Sequence, residues 1–188
     1  MAAGVRSARG SRAIRLGAAV VAVALVAAGC ATSDIPSAVP PPASVGPGMT
    51  VTPAVGLIRG EIVAALGAQN LVLADSQAAV RPAEAPLLGA APRAVYQVQL
   101  PKDPTKGFIV VYEFADTARA AAAATEQQAY LGTGPGRVQR PQGTVTVIRQ
   151  VGSTVVLYDW LPAASQDPSA AGIQAALETL GIGYPVPN

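Results

Sequence analysis

The run Phe108-Ile-Val-Val-Tyr-Glu-Phe114 decides the fold of this chain. It is short, aromatic and β-branched, and a loop from Pro101 to Gly107 precedes it, so it reads as a strand. Upstream, Val95 to Leu100 alternates, with Tyr96, Val98 and Leu100 on one side and Gln97 and Gln99 on the other. Downstream, Asp116 is placed to cap a helix from about Thr117 to Leu131, which Gly132 ends. Val145 to Val151 and Thr154 to Trp160 then flank Gly152-Ser153, a pair suited to a tight two-residue hairpin turn. A last helix starts at Asp167-Pro168, points Ile173, Leu177 and Leu180 inward and stops at Gly181.

Towards the N-terminus, Thr52-Pro53 reads as N-cap and first helical residue, and Gly67 as the stop. Between them Val55, Ile58, Ile62 and Leu66 recur on one helical face. Leu71 to Leu73 reads as a short strand. Pro82, Pro86 and Pro92 then break residues 68 to 94 into a long meandering connection, where a functional loop has room. The order α-β-β-α-β-β-α predicts an α+β domain over residues 51–188, a mostly antiparallel sheet of four or five strands with its helices packed on one face.

Residues 30–50 form a different kind of segment. The stretch from Ala31 to Thr50 holds five prolines and two glycines, and it lacks the apolar surface needed to fold. It reads as an extended, semi-rigid stalk, at ~3.1 Å per residue about 60 Å long when fully extended.

Residues 1–29 have the three parts of a secretory signal peptide. Arg6, Arg9, Arg12 and Arg15 make a basic head, and the 14 residues from Leu16 to Gly29 are uncharged and apolar. That is short of the ~18 to 20 residues a membrane-spanning helix needs. The run ends in Val26-Ala27-Ala28-Gly29-Cys30, which contains the only cysteine of the chain. This ending resembles the lipobox of bacterial lipoproteins, with Ala27 where that family usually has leucine. The resemblance covers residues 1–30 alone and implies cleavage between Gly29 and Cys30 with a lipid on the Cys30 thiol. It implies a protein exported across the cytoplasmic membrane and held on its outer side, in the cell membrane or envelope. Cleavage by an ordinary signal peptidase, or retention of the whole leader, are the competing readings of the same residues. Each lipid methylene contributes ~0.8 kcal/mol, so two or more chains hold a protein stably.

Composition removes several functions. Four of the 13 basic residues lie in the leader, leaving nine against 11 acids, so the chain from Cys30 onward is slightly acidic. Nucleic-acid binding loses its electrostatic premise. There is no histidine, hence no Ser-His or Cys-His nucleophile pair and none of the usual zinc or copper ligands. A lone cysteine removes thiolate metal and redox chemistry as well. No cofactor and no metal site is expected. The 159 residues from Cys30 suffice for one core but not for a two-lobed solute clamp.

Two constellations carry the remaining candidate chemistry. Tyr112, Tyr158 and Trp160 lie on the aromatic strands and form a candidate ligand face if the registers align, although the same residues packed on an alanine-rich helix make an ordinary core. Glu113 and Asp159 alternate with them and form a candidate acidic pair for acid–base work, the alternative being two solvated acids. The glycines of Gly132-Thr-Gly-Pro-Gly136 follow a helix and lack the Gly-Lys-Ser/Thr ending of a phosphate loop, so they read as a flexible connection. The leading expectation is therefore a non-catalytic, membrane-anchored binding or accessory domain for an envelope protein or a small ligand. The alternative is a small cell-surface hydrolase using Glu113 and Asp159.

Overall fold

The computed structural model describes residues 52–186. The leader, Gly29, Cys30 and the stalk lie outside them. In chain order the elements are α1 (Pro53–Gly67), β1 (Leu73–Asp75), α2 (Pro86–Ala90), β2 (Arg93–Val98), β3 (Phe108–Glu113), α3 (Thr117–Gly132), α4 (Gly134–Gln139), β4 (Val145–Val151), β5 (Thr154–Trp160), α5 (Ala170–Glu178) and β6 (Ile182–Gly183). The strands form one antiparallel sheet in the order β1-β2-β3-β5-β4-β6, so the protein is α+β.

Local chemistry sets the helix ends. The Thr52 side chain accepts from the Val55 N–H at 3.3 Å with Pro53 in the first turn, and Asp116 accepts from the Arg119 N–H at 2.7 Å. Gly152 takes a left-handed φ of 56° in the hairpin turn, which puts Val151 opposite Thr154. Helix α4 replaces the expected flexible glycine connection. Pro135 sits in its first turn, and Gly136 packs so tightly on α3 that a Cβ there would collide with the Tyr130 carbonyl oxygen.

The helices cover both faces of the sheet, which corrects the expectation of one. Helices α1 and α5 lie on Tyr96, Ile109, Val111, Val156 and Tyr158. Helices α2 and α3 lie on Val95, Val110, Tyr112, Val155 and Leu157. The cause is in β3 and β5, whose central residues Ile109 to Tyr112 and Val155 to Tyr158 are buried without a polar alternate. A strand apolar on both faces needs cover on both, and it takes the middle of the sheet. Half-buried β4, carrying Thr146 and Arg149, is displaced outward, so β5 pairs with β3. Two edge strands bring the number to six: β1 lies slightly beyond the expected Leu71 to Leu73, and β6 adds two residues after Gly181.

The connection from Ser76 to Ala85 is tied down by buried polar groups. Gln127 of α3, fully buried, accepts from the Ala85 N–H at 2.7 Å and donates to the Ala83 carbonyl at 2.6 Å. Glu84 accepts from the Tyr112 hydroxyl at 2.7 Å and from Arg93 at 2.6 Å. Burial first, and then this bond to Glu84, raise the Tyr112 phenol well above its usual range, so Tyr112 stays a neutral donor.

Candidate functional site

The two acids predicted to work together are apart. Glu113 pairs with Thr154 at one end of the β3–β5 ladder, and Asp159 lies five residues further along β5, roughly 17 Å away at ~3.4 Å per residue. They also alternate onto opposite faces, because Ile109, not Phe108, pairs with Tyr158. The same register dissolves the aromatic band. Tyr112 is buried under α3 and Tyr158 under α5, on opposite sides of the sheet. Tyr158 and the half-buried Trp160 still border a cavity, while Tyr112 does not.

That cavity, about 260 Å³, opens where β3 begins and β5 ends. Phe108, Val110 and Leu157 form its floor, and Val80 and Pro82 of the pinned connection form one wall. Trp160, Leu161 and Ala164 form the other. Within this apolar lining sits Asp159. One of its oxygens accepts from the hydroxyl of Thr146, directly across the hairpin, and the other has no donor among the described residues. Burial pushes the Asp159 carboxyl above the usual range, opposed by the Thr146 bond and by the positive field of Arg140. Arg140 donates to the Thr144 carbonyl at 3.0 Å, while its Nε and Nη1 are buried with no partner among the described residues. Two unpaired, buried guanidinium nitrogens are costly, and the Arg140 field joins the Thr146 bond in favouring the ionised form of Asp159.

The mouth of the cavity is built by a reciprocal latch. Asp103 Oδ2 accepts from the Asp167 N–H at 2.9 Å, the Gln166 N–H at 2.5 Å and the Ser165 hydroxyl at 3.0 Å. Asp167 in turn accepts from the Lys102 N–H and the Ser169 N–H, at 3.0 and 2.9 Å. Two loops far apart in sequence are thereby joined beside Lys106, Leu161 and Ser165 of the lining. Arg81 and Lys106, both exposed, stand at the rim.

Of the residues singled out in the sequence, then, Asp159, Tyr158 and Trp160 border the cavity, while Tyr112 and Glu113 do not. Sequence reading missed Thr146, Arg140 and the latch, while the wall at Val80 to Pro82 falls in the 68–94 connection where room for a functional loop was expected. For Thr146 the signal was present, because a two-residue turn at Gly152-Ser153 sets it opposite Asp159. Among the described residues no three His, Cys, Asp or Glu side chains gather as metal ligands, and no helix is long and apolar enough to cross a membrane. Comparison with protein-family models, with curated proteins and with solved structures gave no match.

Proposed function

We propose that this chain is a membrane-tethered, extracytoplasmic binding domain that is lipidated at Cys30 and holds a small, largely apolar ligand in the cavity over Asp159. One observation carries the binding role: a half-buried carboxylate with an uncommitted oxygen in the lining of a largely apolar cavity. Desolvating such a group is costly unless something pairs with it, and a few polar groups in an apolar lining are what fix a ligand's orientation. A non-catalytic role fits a lining that holds a single carboxylate and no histidine or cysteine beside it. The tether rests on the lipobox-like residues 26–30 and the proline-rich segment after them.

The tether is tested on protein extracted from the membranes of cells making the full chain. Mass spectrometry of the mature N-terminus is expected to find residue 30 first, carrying a diacylglycerol thioether, and Cys30→Ser is expected to move the protein to the soluble fraction. An intact leader, or an N-terminal Cys30 without lipid, would overturn the anchored reading.

A further inference from the structure

The ligand's chemistry can be read from which polar atoms at the cavity are already committed. The Thr144 hydroxyl donates to the Pro141 carbonyl at 2.7 Å, the Ser165 hydroxyl to Asp103, and the Tyr158 hydroxyl to the Ala170 carbonyl at 3.3 Å. The Trp160 indole N–H donates to Gln174 at 3.1 Å. Three charged groups remain. Asp159, half-buried, offers one oxygen. Lys106 offers its ammonium at the rim, and Arg81 its guanidinium, held only by a 3.6 Å contact to Glu84.

The cavity therefore brings together in its lining one carboxylate, two cations and a largely apolar surface. At about 260 Å³ it falls below the ~300 Å³ at which drug-sized sites begin. We propose that it takes an apolar α-amino acid as the zwitterion, with the ammonium on Asp159, the carboxylate between Arg81 and Lys106, and the side chain on Phe108, Val110 and Leu157. This rests on the binding role assigned to the cavity above. An ammonium gives the half-buried carboxylate a charge-assisted partner, the strongest kind of hydrogen bond available to it. The two rim cations are solvated, so they contribute selectivity more than affinity.

Trp160 is the only tryptophan of the chain and borders the cavity, so its emission reports occupancy. The mature protein is titrated with L-leucine, with 3-methylbutylamine, which lacks the carboxylate, with 4-methylpentanoate, which lacks the amine, and with the neutral 3-methylbutanol. Leucine is expected to bind at least ~10-fold more tightly than any of the three. Asp159→Asn is expected to cost leucine and the amine about 10-fold or more while sparing the acid. The double variant Arg81→Ala/Lys106→Ala, changed only at exposed positions, is expected to erase the preference of leucine over the amine. If the amine or the alcohol matches leucine on the unaltered protein, the zwitterion assignment is overturned and the binding role stands. If none of the four changes Trp160 emission up to ~10 mM, a limit of affinity below ~3 kcal/mol, both fall.

Discussion

Replacing Gln127 by leucine is expected to lower the melting temperature by about 10 °C, although the two side chains are close in volume. The exchange removes a donor and an acceptor from a fully buried position and strands the Ala85 N–H and the Ala83 carbonyl. Each buried group left without a partner costs about 1–3 kcal/mol, so the pair costs about 3 kcal/mol. At roughly 3 °C per kcal/mol for a domain of this size, that is the stated shift. The added apolar surface does not compensate, because the backbone groups it faces remain polar. The consequence reaches the cavity, since Val80 to Pro82 are held in place through the same pinned connection. Thermal denaturation followed by circular dichroism measures the effect. A shift below about 2 °C would mean that the connection is not held through Gln127.

Asp103→Asn is expected to loosen the mouth of the cavity and to lower the melting temperature by several degrees at pH 7. It would also remove the Asp103 share of the stability that is lost in acid, leaving that of Asp167. The backbone N–H of Asp167, chiefly, holds the Asp103 carboxyl below the usual carboxylate range, and the Lys102 N–H does the same for Asp167. A carboxylate whose pKa is depressed by folding adds stability that is fully present above its unfolded pKa, near ~4. That stability is lost as pH falls through the lower, folded value. The native protein should thus show a steep loss of stability below about pH 4, and the variant a shallower one. An unchanged acid limb in denaturation curves from pH 2 to 6 would contradict the latch.

The sheet was legible because its signals are local. The run 108–114 reads as a strand from its own residues, the caps at Thr52 and Asp116 declare themselves, and Gly152-Ser153 fixes the register of the β4–β5 hairpin. The β3–β5 register is a different kind of fact. These strands are joined through two helices and β4, so no turn dictates their alignment, and a one-residue slip exchanges every side chain between faces. Joining Tyr112 to Tyr158, and Glu113 to Asp159, assumed that register and failed on it. The cover on both faces was written in Ile109-Val110-Val111-Tyr112, which has no polar alternate, but the adjacent Glu113 and the alternation in 95–100 pointed to a one-sided sheet. The cavity itself was the least legible part. Its wall, mouth and floor come from segments around residues 80, 106, 144 and 160, brought together by Gln127 and the Asp103–Asp167 latch. Each of those pins is a single polar side chain of ordinary appearance in the sequence.

The most direct test of the cavity as the working site is residue-resolved. Amide and indole chemical shifts of the mature protein are followed during titration with L-leucine and 3-methylbutylamine. Saturable shifts are predicted at Val80, Phe108, Leu157, Asp159 and the Trp160 indole. Saturable shifts confined elsewhere, such as the groove by Leu87, Pro92 and Phe114 between α2 and α3, or no saturable shift at all, would contradict it.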